Sequence, residues 1–185
     1  MNNSMEERIK IPKAFILVCF IFILAGVAGF IHGFGDDAER TWANFLLNNY
    51  YFLSISLGAA FFLSVQSITQ SGWSAAFRRV PEALMAYVPF SAVFFLVLLG
   101  GIHDLYHWSH DEAVETDAIL AHKAPYLNVP FFYIRLIVYF VLWILMIKLI
   151  RGVSLKEDME GGLKWFYKSE IYSRAFILFL QLPSL

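Results

Sequence analysis

Histidine and acidic side chains are concentrated in one stretch of this chain, residues 103–126. Histidine changes its charge near neutral pH and carboxylates accept protons, so the stretch is a candidate for proton transfer or for hydrogen bonding to a small ligand. The alternative is a solvated acidic loop without a chemical role. The stretch contains His103, Asp104, His107, His110, Asp111, Glu112, Glu115, Asp117 and His122.

His103 and His107 stand four residues apart, so a continuing helix would place both imidazoles on one face, beside Asp104. A zinc site needs further ligands, because this pair supplies only half of a tetrahedral set. A b-type haem needs histidines from two facing helices, and His32 with His103 is the pairing that the sequence offers. Intramembrane histidines more often pair with carboxylates or water, which favours a proton relay or a quinol hydrogen-bonding group over a metal site.

Two other charged residues are candidates for the same chemistry. Arg135 falls within the first two turns of an apolar run, where its side chain would either extend to the membrane surface or pair with Asp104. Glu82 follows Arg78 and Arg79 near the opposite membrane face. It could admit protons there, or form an ion pair with either arginine.

The composition identifies an integral membrane protein. Of the 185 residues, 59% are hydrophobic and 18% are aromatic, and the mean hydropathy is +0.61, well above the values of soluble domains. A helix needs about 20 apolar residues to cross a hydrocarbon core of about 30 Å. Four runs approach this length, at 14–31, 52–68, 83–102 and 129–150, and a fifth run, 175–182, is too short to span.

We therefore predict an all-α integral membrane protein, built as a four-helix transmembrane bundle plus a partial fifth helix. The first run lacks a small-residue cleavage site, so we expect it to be retained rather than removed as a signal peptide. The expected segments are a cytoplasmic N-terminal segment (1–13), the four-helix transmembrane unit (14–150), a cytoplasmic segment (151–174) and the truncated start of a fifth helix (175–185).

Local features refine this fold. Pro89 should kink the third helix, because proline lacks an N–H and its ring clashes with the preceding turn. Trp42 and Phe45 stand at helical spacing beside charged residues, which predicts an interfacial helix over 36–49 leading into the second span. Polar residues in that span would be poorly placed against lipid and could instead order water inside the bundle. They include Ser56, Ser64 and Gln66.

Basic residues predict the orientation, because Lys and Arg of short loops stay on the cytoplasmic side. The first and third connections offer only Arg40 and Lys123, so they should face outward together with the histidine-rich stretch. Both ends of the four-helix unit should be cytoplasmic. The basic residues of the expected cytoplasmic segments are Arg8, Lys10, Lys13, Arg78, Arg79, Arg151, Lys156, Lys164 and Lys168.

Several active-site patterns are absent from the sequence. It has no phosphate-binding glycine loop and no nucleophile elbow, and its one cysteine, Cys19, reads as a small apolar residue inside the first span. A net charge of −1 and basic residues confined to short loops give no support to nucleic-acid binding.

Residues 40–135 resemble the F subunit of alternative complex III, a bacterial quinol:cytochrome c oxidoreductase. The similarity combines aromatic, proline and charged positions that hydrophobicity alone does not require. The segments that carry it are RTWANFLLNNYYFLSISLGAAFFLSVQSIT, GWSAAFRRVPEALMAYVP, LYHW and HKAPYLNVPFFYIR.

The resemblance implies a multi-pass subunit of the bacterial inner membrane that supports quinol binding, proton conduction or both. Its implied partners are multihaem c-type cytochromes, an iron–sulfur subunit and a homologous C subunit related to the membrane anchor of polysulfide reductase. This chain itself would hold no cofactor and no metal, with quinol as a possible substrate. Family members are considerably longer and carry further helices, so the chain is expected to be C-terminally truncated.

Two other functions remain compatible with the sequence. A purely structural membrane anchor would use the same apolar helices and need no titrating group. A small ion or solute carrier would need broken helices and an internal repeat, and neither is evident within four spans. In the functional hypothesis, Glu82 lies near the cytoplasmic mouth of the bundle, and His103, Asp104 and His107 lie near the outer mouth.

Replacing His103 or Asp104 with leucine should lower quinol turnover or proton translocation by roughly a hundredfold, the lower end of what general acid–base side chains contribute. Assembly should be unaffected, because both residues are expected outside the apolar runs. Turnover of the purified complex is the measurement, with Glu39→Leu as a control for loss of a carboxylate on the same predicted face. Unchanged turnover in an assembled complex would remove both residues from the mechanism.

Overall fold

The computed structural model describes residues 11–109 and 122–181, except for the side chains of His107 and Gln181. In this part of the chain 89% of the residues are helical and none forms a strand. Four helices are long and apolar enough to cross a membrane, Lys13–Asp36, Ala38–Ile68, Arg79–Leu105 and Val129–Glu160. The predicted all-α membrane fold is therefore confirmed.

Seven α-helices lie wholly within the described residues. Short 3-10 helices at Gly72–Ala76, Leu99–Gly101 and His107–Ser109 lie between them. The α-helices are α1 (Lys13–Asp36), α2 (Ala38–Ile68), α3 (Arg79–Met85), α4 (Val88–Leu98), α5 (Ile102–Leu105), α6 (Val129–Glu160) and α7 (Leu163–Gln181). By compactness the chain divides into two units, one ending at Thr41 and one beginning at Trp42.

Helix α1 forms most of the first unit, and none of its residues is buried. Its apolar side chains are therefore available to lipid along its length, as expected for a membrane span that makes few protein contacts. Helix α1 ends at Asp36, and Asp37 separates it from α2. The Asp37 Oδ1 atom accepts the backbone N–H of Arg40 at 3.0 Å, which satisfies one of the free donors at the start of α2.

Helix α2 is continuous over 31 residues, which corresponds to about 46 Å at the rise of an α-helix. Residues 38–49 are helical, as predicted for the segment that leads into the second span, and they form the first turns of the same helix as that span. The physical reason is that residues 38–57 contain neither Gly nor Pro, so nothing ends the helix. The interfacial location of residues 38–49 stays a prediction. Trp42 is buried, at 9% exposure.

The third span is interrupted where proline predicted a kink. Helix α3 ends at Met85 and α4 begins at Val88, with Pro89 in its first turn. Because Pro89 has no N–H, it cannot donate to the carbonyl of Met85. The connecting residues use tighter bonds instead, from Ala86 N–H to Ala83 O at 3.2 Å and from Tyr87 N–H to Leu84 O at 3.3 Å.

Helices α6 and α7 form a hairpin with a two-residue turn, and they are the most extensively packed pair of described helices. The turn residues Gly161 and Gly162 have φ angles of 66° and 87°, a backbone region that glycine tolerates best. Helix α7 buries one face, formed by Trp165, Ser169, Ser173 and Phe176. This helix begins at Leu163, so the structure places residues 163–174, expected in a cytoplasmic segment, in the same helix as 175–181.

Gly101→Ala should destabilise the fold by about 1–3 kcal/mol, because a Cβ on Gly101 would overlap the indole ring of Trp42, and overpacking of this kind carries such a cost. Gly100→Ala is the matched control, since a Cβ on Gly100 would approach Trp42 only to ordinary contact at 3.8 Å. Thermal unfolding of both variants in detergent measures the difference. Equal stability of the two variants would contradict the close packing of Trp42 on Gly101.

Candidate aromatic cleft and polar contacts

A cleft of about 550 Å³ lies between α2, α4 and α6. This volume is within the range of small-molecule binding sites, which are mostly apolar with a few polar groups. We call it the aromatic cleft. Its lining residues are Ala43, Leu46, Leu47, Tyr50, Leu53, Phe95, Tyr106, Phe132, Leu136, Tyr139, Phe140 and Trp143.

Helical periodicity explains the two long walls of the aromatic cleft. The lining residues of α2 and those of α6 each recur at spacings of three and four, so each set occupies one face of its helix. From Phe132 to Trp143 the α6 wall extends about 16 Å at the rise of an α-helix. The rings of Phe95 and Phe140 pack 5.3 Å apart and join α4 to this wall. The cleft is therefore elongated and aromatic.

Trp143 supplies a polar group to this apolar lining. Its Nε1 atom is buried and has no hydrogen-bond partner among the residues that the structure describes. An indole N–H can only donate, and a buried donor without an acceptor costs about 1–3 kcal/mol. The ring is held between neighbours, with Tyr139 stacked at 6.2 Å and Phe140 edge-on at 5.5 Å. The ring of Trp143 thus lines the cleft, while its donor is enclosed and lacks an acceptor among the described residues.

Tyr106 lies at one end of the aromatic cleft, in a cluster of three rings. Its ring centroid is 5.3 Å from that of Trp108 and 5.9 Å from that of Phe132. Burial raises the pKa of the Tyr106 phenol above its ordinary value of 10.0. The phenol therefore keeps its proton at neutral pH and can donate a hydrogen bond to a ligand.

The predicted histidine-rich site is only partly within the described residues. His103 and Asp104 lie on α5, less than one turn before Tyr106, and both are exposed. The backbone of His107 lies in the 3-10 helix His107–Ser109, while its side chain lies outside the description. Residues 110–121 also lie outside it, so the joint geometry of the cluster stays a prediction. In the described ranges, 11–109 and 122–181, no group of three or more His, Cys, Asp or Glu residues is placed to hold a metal ion.

His32, the other histidine considered for haem ligation, lies in the first unit. Its Nδ1 atom is 3.4 Å from Asp36 Oδ2, one turn later on α1, and both side chains are exposed. In this part of the chain the imidazole therefore has a carboxylate partner, which is the common arrangement for histidine near a membrane surface.

Arg135 extends toward the segment that precedes α6, as the surface-directed interpretation predicted. Its guanidinium lies over the ring of Tyr126, 3.7 Å from the centroid, and Nη2 donates to the Tyr126 carbonyl at 3.3 Å. Cation–π contacts of this kind are worth about 0.5–2 kcal/mol. The alternative pairing with Asp104 is not among the ion pairs of the described residues.

Glu82 is buried, at 4% exposure, and its carboxylate is fully engaged. Arg79 binds one carboxylate oxygen, and Ser154 donates to the other. Arg78 Nε approaches the second oxygen at 3.6 Å. The predicted ion pair with an arginine is therefore confirmed, while a role of Glu82 in proton uptake stays a hypothesis.

The same arginines join α3 to the end of α6. Arg78 Nη1 donates to Glu157 Oε2 at 2.6 Å, and Arg79 pairs with Asp158. We call these contacts the Glu82 network. Sequence analysis missed its α6 members, because a serine and two acids in a polar segment carry no signal for a partner more than 70 residues earlier. Its members are Arg78, Arg79, Glu82, Ser154, Glu157 and Asp158.

A second buried polar contact, also missed from the sequence, joins α2 to α4. Asn49 is 4% exposed, and its Oδ1 atom accepts from Ser91 Oγ at 2.8 Å and from Tyr87 Oη at 3.2 Å. Its Nδ2 atom donates to the Ser91 carbonyl at 3.4 Å. An asparagine inside a membrane helix is a signal for such a contact, because an amide facing lipid would be costly.

The polar residues predicted to order water in the second span have different environments. Ser56 Oγ donates to the carbonyl of Phe52 at 2.9 Å, and the Gln66 side chain accepts from Ser71. Ser64 Oγ is buried without a partner among the described residues. Of these three side chains, that of Ser64 is the one without a protein partner among the described residues. It is therefore the one that could bind a water molecule without first breaking a protein hydrogen bond.

Comparison with protein-family models gave no match for this chain, and no curated protein is significantly similar to it.

Glu82→Ala should lower the free energy of unfolding by about 3 kcal/mol, the lower end for breaking a buried ion pair, because both arginines are partly exposed and can regain water. Asp158→Asn removes the most exposed acid of the same network and should cost less than about 1 kcal/mol. Chemical or thermal unfolding in detergent compares the two variants. Equal losses of unfolding free energy in the two variants would show that the burial of Glu82 does not increase its contribution to stability.

Proposed function

We propose that this chain is a membrane subunit of a bacterial quinol:cytochrome c oxidoreductase of the alternative complex III type, and that its aromatic cleft binds quinol. The similarity of residues 40–135 to the F subunit supports the complex. The donor of Trp143, left without a partner in an elongated apolar cleft, is the observation that carries the binding site.

The chemistry of a quinone matches this lining. A quinone ring is apolar on its faces and carries oxygen atoms at opposite ends, so it needs aromatic contacts and one or two hydrogen bonds. Trp143 Nε1 would donate to one oxygen. The Tyr106 phenol, which is protonated at neutral pH and whose pKa burial raises further, is a second donor in the lining. The volume of about 550 Å³ leaves space for the first part of an isoprenoid tail.

Oxidation of quinol releases two electrons and two protons, and the electrons need an acceptor. In the proposal they pass to an iron–sulfur subunit and then to multihaem c-type cytochromes, with the homologous C subunit beside this chain. The protons leave through groups near Tyr106, where exposed Asp104 and His103 lie two and three residues before it and His107 lies one residue after it in sequence. This chain contributes positioning and proton acceptance, and no redox cofactor.

The proposed location is the bacterial inner membrane. The N-terminus and the α6–α7 hairpin would face the cytoplasm, and the histidine-rich stretch would face the periplasm. The four membrane-length helices support a membrane location, and the distribution of basic residues supports this orientation.

Affinity purification of the tagged chain from its native membrane, followed by mass spectrometry, tests the assignment to the complex. Multihaem cytochromes c and an iron–sulfur protein should co-purify with it. If the tagged chain is recovered with the same partners but substitutions in the cleft leave quinol turnover unchanged, the chain is a structural anchor. Transport by the chain alone in liposomes would indicate a carrier.

Trp143→Phe should weaken binding of a quinone about tenfold, because it removes one hydrogen bond worth about 1.4 kcal/mol and keeps an aromatic ring in the wall. Trp73→Phe is the matched control, since Trp73 is 65% exposed and does not line the cleft. Labelling of the purified protein by a photoreactive quinone, with competition by unlabelled quinone, gives both affinities. Equal affinities of the two variants would exclude Trp143 as the donor.

A further inference from the structure

Three lysines converge on one tryptophan at the end of the α6–α7 hairpin. The ammonium nitrogens of Lys156, Lys164 and Lys168 lie 4.9, 5.1 and 5.0 Å from the ring centroid of Trp165. Trp165 is 9% exposed, and its Nε1 atom donates to Glu160 Oε2 at 2.8 Å, which fixes the ring. We call these four residues the lysine cluster.

The charge of the lysine cluster is only partly balanced by carboxylates within the part of the chain that the structure describes. None of the three lysines forms an ion pair there. Two nearby acids, Glu157 and Asp158, are already paired with Arg78 and Arg79. Glu160 accepts from the neutral indole N–H of Trp165, so its negative charge lies at the cluster and offsets part of the three positive charges. Three like charges held around one ring repel each other, so an anion bound among them would be stabilised.

An apolar strip lies on the same hairpin. Met159 and Leu163 are 76% and 70% exposed, and Leu155 and Tyr167 are exposed as well. They recur every four residues, two at the end of α6 and two at the start of α7, and each lies within one to four residues of a clustered lysine. Exposed apolar side chains beside Lys and Trp are characteristic of protein segments that lie in the membrane interface.

The depth of the hairpin agrees with an interfacial location. The fourth apolar run ends at Ile150, and Lys156 lies six residues further along α6, about 9 Å at the rise of an α-helix. The headgroup region adds about 5–8 Å to each side of the hydrocarbon core. A lysine side chain on this turn can therefore reach lipid phosphates.

We propose that the lysine cluster binds the phosphate of an anionic phospholipid. The three ammonium groups donate charge-assisted hydrogen bonds to the phosphate oxygens, and Trp165 keeps them together through cation–π contacts. This site does not depend on quinol binding, because it lies on a different part of α6 from the aromatic cleft.

The test measures binding of a short-chain phosphatidylglycerol to the delipidated full chain in detergent, by native mass spectrometry. The variant K156Q/K164Q/K168Q should bind it at least tenfold more weakly than the unaltered chain. The charge-conserving variant K156R/K164R/K168R should retain binding. Lys13, Lys123 and Lys148, all exposed and outside the cluster, provide a triple glutamine control with the same change in net charge, and this control should bind as the unaltered chain does.

Other results would overturn the proposal. Equal binding by the cluster variant and the control variant would show that the lipid responds to net charge alone. Displacement of the lipid by an equal concentration of inorganic phosphate would assign the cluster to free phosphate. Unchanged lipid binding together with loss of co-purifying subunits from the cluster variant would assign the surface to a protein partner. Circular dichroism of each variant establishes that the helices are retained.

Discussion

The buried carboxylate of Glu82 is the constraint on which the arrangement of the second unit depends. An ionised carboxylate at 4% exposure is tolerated only when opposite charges and hydrogen-bond donors surround it. Arg78 and Arg79 come from its own segment, but Ser154, Glu157 and Asp158 come from the far end of α6. Satisfying Glu82 therefore fixes α3 against α6. Because α4 follows α3 after the break at Pro89, the same contact helps to set which face of α6 meets α4.

A weaker polar contact places the remaining wall of the cleft. Hydrogen bonds between helices in membranes contribute about 0.6 kcal/mol on average, so the bonds from Asn49 to Ser91 and Tyr87 add modest stability. Their larger effect is on register, since an unpaired amide in hydrocarbon disfavours a shift of α2 along α4. With both contacts made, aromatic rings of α2, α4 and α6 face one another without filling the space between them. The aromatic cleft is the space that remains.

The features that could be predicted from the sequence are those encoded in one local segment. Run length gave the four membrane helices, Pro89 gave the break in the third, and Glu82 was expected to pair with a neighbouring arginine. The α6 partner of Glu82 and the partners of Asn49 could not be predicted, because they lie more than 70 and about 40 residues away and depend on tertiary packing. Helix α7 was only partly recognised, since its buried face contains Ser169 and Ser173, which lower the apolar signal of residues 163–174. The segment that leads into the second span was expected to be helical, and it forms one helix with that span because residues 38–57 contain neither Gly nor Pro.

Trp143 limits what can occupy the aromatic cleft. Its N–H is buried without an acceptor among the described residues, and phenylalanine at this position would avoid that cost while preserving the ring. Water is a poor acceptor here, because a buried water molecule needs two to four polar partners, whereas the described lining is mainly aliphatic and aromatic. The acceptor that fits is an oxygen carried on an apolar body, so that the same molecule fills the cleft and satisfies the donor. The proposed quinone would meet both conditions, whereas a phospholipid acyl chain would meet only the first.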